Sequence, residues 1–245
     1  MGSHLSWRIP RLYHQGNCFL LGLRVIKHGI PDNSQGVLFV SNHSSYLDII
    51  VLAALTEACF VSKFEVASWP LFGMLAKLNH TVFVKRRMRE SGEKLREIEA
   101  RLRQGQRLIL FPEGTSSDGT KILPFKSSLF SAAELEANKR PVPVQPISIA
   151  YTRLDGIPLG RLMRPLYAWY GNMDFAPHFW QLLGLGRFKV EITVHDAVTL
   201  EGFDSRKELA RHCERAITSG FSRSIAGRGD DTRALAPPPD ATTTA

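Results

Sequence analysis

Short, almost purely apolar runs recur along this chain, each closed by a polar loop, and stretches with helical spacing lie between them. Val37 to Val40 is the first such run, and Ser41 and Asn42 break it. A strand buried on both faces has this pattern. From Leu47 the apolar positions continue through Ile49, Ile50, Leu52 and Leu55 at helical spacing, so the strand hands over to a helix through a turn that contains His43. Phe60 to Ser62, Thr81 to Val84 and Leu108 to Phe111 repeat the apolar run. Trp69 to Leu78, with Pro70 near its start, and residues 90 to 104, with Glu and Lys/Arg pairs four apart and Gly105 behind them, read as helices. Strands alternating with crossover helices predict an α/β fold with a mostly parallel central sheet flanked by helices.

The flanks follow the same logic. Residues 7 to 28 mix Trp7, Leu12, Phe19, Leu20, Leu23 and Val25 with Arg8, Arg11, Arg24 and Lys27, which reads as a basic amphipathic helix leading into a strand. LPFKSSLFSAAELEA is a loop into a helix with Lys126 at its mouth, and VPVQPISIAY is a strand in which Pro146 argues for an edge or a bend. Residues 169 to 185 are rich in aromatic residues, with a helix start near Asp174 and Pro177, and His178 reads there as a polar tip. FKVEITVHDAVTL alternates as a strand with one wet face, His195 facing solvent, and SRKELARHCERAITSGFSRSI is a terminal amphipathic helix. The last stretch is rich in Pro, Thr, Ala and Gly, a composition expected of a disordered tail. The expected organisation is an amphipathic segment over 1–30 with possible membrane contact, one catalytic domain over 31–225, and a tail over 226–245.

Composition narrows the partners. With 44% hydrophobic and 22% charged residues, the 245-residue chain buries one substantial core. A net charge of +8 and an isoelectric point near 9.6 point to an anionic partner: nucleic acid, an anionic membrane surface or a phosphorylated substrate. No nucleic-acid motif with interleaved aromatics is present, so no nucleic-acid partner is expected. Cys18, Cys59 and Cys213 are widely spaced without a CxxC pattern, which indicates neither a disulfide framework nor a zinc site. No run of 18 apolar residues occurs, and the start MGSHLSW has no signal-peptide pattern and resembles an expression remnant.

The candidate chemistry centres on His43 and Asp48. Five steps along a helix separate two side chains by about 140°, and in a strand they face opposite sides, so the two can meet only across a turn. A strand–loop–helix junction supplies one, and lets the carboxylate hold one ring nitrogen while the other faces a substrate hydroxyl. Leu108 to Phe111 ends in a polar loop with Pro112, Glu113, Gly114, Thr115 and Ser116. A carboxylate at the end of a buried strand is a poor packing residue, which marks Glu113 for binding, while Gly114 admits close backbone approach and Thr115 adds a hydroxyl. Lys85, Arg86, Arg87 and Arg89 form a cationic cluster at another strand end, of a kind suited to phosphate. A serine hydrolase would need a nucleophile, and no G-x-S-x-G elbow is present.

NHSSYLD, FPEGT and VPVQPISI, in that order, resemble the glycerolipid acyltransferase family typified by bacterial 1-acylglycerol-3-phosphate acyltransferases. The family's four blocks fall on His43 and Asp48; on Phe83 with Arg86; on Glu113, Gly114 and Thr115; and on Val142 with Pro143 and Pro146, and the likeness spans roughly residues 10 to 200. His80 and Lys85 depart from the second block and Ser116 from the third. AWYGNMDFAPHFWQLLG resembles a subgroup that includes lyso-ornithine lipid acyltransferases.

The resemblance implies an O-acyltransferase in which His43, oriented by Asp48, is the general base that activates a lysolipid hydroxyl against an acyl-carrier-protein or coenzyme A thioester. It also implies that Arg86 and Lys126 hold an anionic group and that Glu113, Gly114, Thr115 and Pro146 belong to the acceptor site. Neither metal nor cofactor is required, acyl-CoA or acyl-ACP being a co-substrate. The expected acceptor is 1-acylglycerol-3-phosphate, giving phosphatidic acid, with lyso-ornithine lipid or another lysophospholipid as the alternative. A non-catalytic anionic-lipid-binding protein is the alternative of a different class. The expected location is the cytoplasmic face of the inner membrane, peripheral or anchored by a segment outside this chain.

Overall fold

A computed structural model describes residues 4–63, 82–84, 91–137 and 140–229. In chain order, α1 (His4–Leu20) leads into β1 (Leu23–His28), then β2 (Leu38–Ser41), α2 (Leu47–Leu55), β3 (Cys59–Lys63), β4 (Val82–Val84), α3 (Ser91–Arg103) and β5 (Leu108–Leu110). A 3-10 segment Ser127–Glu134 and a small hairpin, β6 (Glu136–Ala137) with β7 (Arg140–Pro141), precede the long β8 (Val144–Leu154) and the short β9 (Ile157–Pro158). Next come α4 (Phe175–Leu183), β10 (Phe188–Val194) and α5 (Arg206–Ile225). Among the described residues the main sheet runs β1-β10-β8-β2-β5-β3-β4, with β9 paired to β8. The five strands β8, β2, β5, β3 and β4 are mutually parallel, whereas β10 and β1 run the other way.

The centre of this sheet explains its sequence. Val37 and Phe39 pack into one core with α2 and with Ile147, Ile149 and Tyr151 of β8. Leu38 and Val40 alternate into the opposite core, with Leu108, Leu110, Phe130 and, from α5, Leu209, Cys213 and Ile217. Burial on both faces is the reason the runs are continuously apolar rather than alternating. Helix α5 starts on Ser205, whose side chain accepts from Glu208 N, a sequence signature of a helix start.

Four expectations are corrected here. Pro146 lies in an interior strand, paired with Val40 of β2, and not at an edge. Its carbonyl accepts from His195 N just where β10 has ended, so its missing N–H falls at a break in that ladder. His195 does not face solvent: its Nε2 lies 2.7 Å from Ser148 Oγ, which in turn donates to Ile217 O of α5. Gly220 of α5 makes this close approach possible, because a Cβ there would come within 2.4 Å of Ser148 Oγ. His178 is buried, with Nδ1 3.1 Å from the Tyr46 hydroxyl. The segment behind Lys126 is 3-10, opened by an i to i+3 bond from Leu129 N to Lys126 O. The expected helix over Trp69 to Leu78 and the tail beyond residue 229 lie outside the described residues.

Candidate active site

Register alone brings the two candidate loops together. Val40 of β2 pairs with Leu110 of the parallel β5, and three residues beyond each stand His43 and Glu113. At the same strand end, His43 N donates to Glu113 Oε1 at 2.7 Å, and Leu123 N donates to Glu113 Oε2 at 2.8 Å. Glu113 therefore braces the backbone of the histidine loop with one oxygen and its own loop with the other. The residue is only 2% exposed. Burial pushes it up to about 7, against the downward pull of those two N–H bonds, with Asp48 and Glu214 adding upward pressure.

The chain turns between His43 and Asp48 as their separation requires. His43 Nδ1 is 3.0 Å from Asp48 Oδ2. The same oxygen accepts from Ser44 N at 2.7 Å and Ser45 N at 2.9 Å, and the Tyr151 hydroxyl donates to Oδ1 at 2.9 Å. Four donors thus converge on one fully buried carboxylate. Burial and the adjacent carboxylate hold the Tyr151 phenol well above its ordinary range, so it remains a donor. An acceptor so arranged requires Nδ1 to carry the imidazole proton, which leaves Nε2 with its lone pair. The His43 side chain is 19% exposed, while its ring stacks on Phe111 at 4.1 Å between centroids and 17° between planes. The ring is fixed in plane and tautomer yet open to an incoming group.

Three more contacts hold the loop to the scaffold. Asn42 clips it to β8 by a two-way amide bond, Nδ2 to Ile149 O and Ile149 N to Oδ1, each 2.9 Å. Ser117 N donates to His43 O, and Trp169 N donates to Ser44 O. The Lys126 loop is likewise anchored: Lys126 N donates to Pro112 O, and Phe125 N donates to Glu214 Oε2 of α5 at 2.8 Å.

Of the predicted site residues, the fold brings together His43, Asp48, Glu113, Gly114 and Lys126. Gly114 has φ +69°, and a Cβ there would lie 2.7 Å from Lys126 Nζ, so the ammonium rests directly over this glycine. Thr115 follows at an exposed position on the same turn. Pro146 does not join the site: it is buried beside Val40, three residues short of His43 along β2. Arg86 and its cationic neighbours lie outside the described residues. Sequence reasoning missed Asn42, Tyr151 and Glu214. Tyr151 carried a signal, because Ile147, Ile149 and Tyr151 share one face by period two, and a buried phenol needs a partner.

A buried carboxylate orienting a partly exposed imidazole, at the carboxyl ends of parallel strands, defines an α/β enzyme whose histidine is placed to take a proton from a hydroxyl. The family model described as Acyltransferase matches residues 23–150. The chain is 41% identical to the lyso-ornithine lipid O-acyltransferase of Rhizobium meliloti, over 90% of this chain and 77% of that relative. It is 30% identical to the 1-acyl-sn-glycerol-3-phosphate acyltransferase of Neisseria gonorrhoeae, over 77% of this chain and 72% of the relative. The crystal structure of the 1-acyl-sn-glycerophosphate acyltransferase PlsC from Thermotoga maritima superposes with a TM-score of 0.66 at 25% identity, over 90% of this chain and 80% of that one. This chain belongs to the acyltransferase family.

Proposed function

We propose that the protein transfers a fatty acyl group from an acyl-carrier-protein or coenzyme A thioester to the free hydroxyl of lyso-ornithine lipid. The observation that carries the reaction type is the His43 imidazole, held through Nδ1 by buried Asp48 and partly exposed. His43 Nε2 accepts the hydroxyl proton as the oxygen attacks the thioester carbonyl carbon. The tetrahedral adduct then collapses, breaking the carbon–sulfur bond, and the imidazolium returns the proton to the thiolate. Asp48 stabilises the imidazolium in between. Positioned proton transfer of this kind contributes roughly a hundred- to ten-thousand-fold. Lys126, whose ammonium lies over Gly114, the residue next to the bracing carboxylate Glu113 in the chain, would pair the acceptor's anionic group. No resident metal or cofactor takes part in this scheme.

The choice of acceptor is supported by relatives of that name at 37% to 41% identity, against 30% for the glycerophosphate enzyme. 1-Acylglycerol-3-phosphate is the second reading, supported by the likeness to PlsC. We place the enzyme at the cytoplasmic face of an anionic membrane. Among the described residues no helix is long and apolar enough to cross a bilayer. Helix α1 supports a peripheral contact: Ile9, Leu12, Tyr13 and Leu20 lie exposed on one stripe, while His14 and Cys18 on the other side are buried. Arg11 Nε and Gln15 Nε2 on that inner side reach Ala54 O of α2. A helix with its apolar stripe outward suits a lipid interface.

The test is acyl transfer from labelled acyl-ACP and acyl-CoA to lyso-ornithine lipid and to lysophosphatidate, with wild type and His43→Ala. Preferred transfer to lyso-ornithine lipid that vanishes in the variant supports the proposal. Preference for lysophosphatidate would reassign the acceptor, and activity unchanged by His43→Ala would overturn the base.

A further inference from the structure

We propose that the bilayer contact is composite, and that α4 and the β8–β9 hairpin seat the catalytic end of the sheet on an anionic membrane together with the end of α1. The proposal rests on the membrane reading above and extends it to elements far away in sequence. Topology supplies the first observation. Strand β8 is parallel to β2, so its carboxyl end lies at the end of the sheet that carries His43. Because β10 runs against β8, and β1 with β10, their amino ends arrive at that same end, with Leu154, Phe188 and Leu23 level.

Three chain segments clasp one another there. Phe188 N donates to Gly22 O, and a Cβ on Gly22 would lie 3.2 Å from Gly186 O. Asp155 N donates to Arg187 O, and Arg187 N donates back to Asp155 Oδ1 at 2.8 Å. The end of α1, the hairpin tip and the end of α4 are therefore neighbours.

Each segment projects large apolar side chains into solvent at this junction. Phe19 and Leu20 of α1 are 85% and 78% exposed, Ile157 of the hairpin 65%, and Trp180 of α4 75%. Trp180 and Leu183 sit three apart on the outer face of α4, whose inner face is anchored by buried His178 and Leu182. Phe19 also borders an apolar recess of about 300 Å3 between α1, β1 and α2. Separate exposed hydrophobics are ordinary; apolar tips from three segments meeting at one end are an interaction surface.

Charge selects an anionic bilayer as the partner. Arg24, Lys189 and Arg153 stand in register across β1, β10 and β8. Leu154 and Phe188, the next pair, belong to the core, so the basic row shares the opposite face at the same sheet end. Lys189 is paired with Glu191 at 2.7 Å, while Arg24 and Arg153 are exposed. Apolar tips beside a cationic row match an anionic headgroup layer over acyl chains.

The experiment uses the full chain and sedimentation with vesicles of three parts phosphatidylcholine to one part phosphatidylglycerol. Trp180→Ser with Leu183→Ser is expected to lower the vesicle partition coefficient about tenfold or more, with transfer to detergent-dispersed lysolipid and the thermal midpoint unchanged. Brominated lipid is expected to quench the wild type more than Trp180→Phe. Equal partition by the double variant, with loss in Phe19→Ser with Leu20→Ser, would assign binding to α1 alone and overturn the composite surface. Equal partition to pure phosphatidylcholine would overturn the anionic choice. Absence of wild-type partition would remove the membrane reading itself, leaving the acyl-transfer assay to judge the chemistry separately.

Discussion

Asp48→Asn separates the charge of Asp48 from its geometry. An amide of the same shape has one acceptor and one donor. Three N–H groups point at Oδ2, those of Ser44, Ser45 and the His43 ring, whereas among the described residues Oδ1 meets only the Tyr151 hydroxyl. The amide oxygen therefore takes the Oδ2 position and its NH2 turns to the Tyr151 oxygen, which can accept. The His43 tautomer survives, and what is lost is the negative charge facing the imidazolium. At the 3.0 Å separation seen here, Coulomb's law with an effective dielectric of about 20 gives roughly 5 kcal/mol. A neutral hydrogen bond recovers part of it, leaving about 3 kcal/mol, on the order of a hundredfold in kcat. Asp48→Ala should be worse and of a different kind, because it strands buried donors and destabilises the loop itself. The assay is acyl transfer to saturating lysolipid across pH 6 to 9, with thermal melts of each variant. A kcat for Asp48→Asn equal to wild type would refute the electrostatic role, and one as low as His43→Ala would show that the tautomer was lost after all.

Two further outcomes follow from the same geometry. Asn42→Ala leaves Ile149 N–H and C=O without their partner in a buried strand, a loss of about 3 kcal/mol, which should appear as a thermal midpoint roughly 6–12 °C lower; an unchanged midpoint would show that the clip contributes nothing. His195 is held down to about 4, first by burial and then by Arg223 of α5 and by His212, with Asp196 pulling the other way. The unfolded chain takes up its proton near 6.5, so this group's contribution is present above that pH and is lost as pH falls toward 4, up to roughly 3 kcal/mol. Urea unfolding of wild type against His195→Gln should show the wild type weakening more on acidification through this window, and parallel curves would contradict it.

The site was legible to unequal depth. His43 and Asp48 could be paired from their spacing, because five residues exclude both helix and strand and require a turn. Glu113 stood out as a charge at the end of a buried run, and the structure gives the reason: it braces His43's backbone. His195 and His178 were misread for a common cause. Periodicity tells which face of an element a side chain occupies but not what covers that face, and α5 covers the first while Tyr46 of the histidine loop meets the second. Pro146 was read as marking an edge or a bend because a missing N–H is expected there, yet an interior strand also tolerates it where its neighbour ends.

By itself, then, the amino-acid sequence determined the buried parallel strands, the turn that joins His43 to Asp48 and the polar loop that holds Glu113. These depend on local pattern, which neighbouring residues set. Tertiary structure alone decided that Tyr151 and two backbone amides would saturate Asp48, that Asn42 would clip its loop to a strand 107 residues away, and that Glu214 would anchor the loop of Lys126. It also decided that α1, the hairpin and α4 would present their apolar tips at one end. Each of these depends on strand order, register and helix docking, which bring together residues whose separation along the chain leaves no periodic trace.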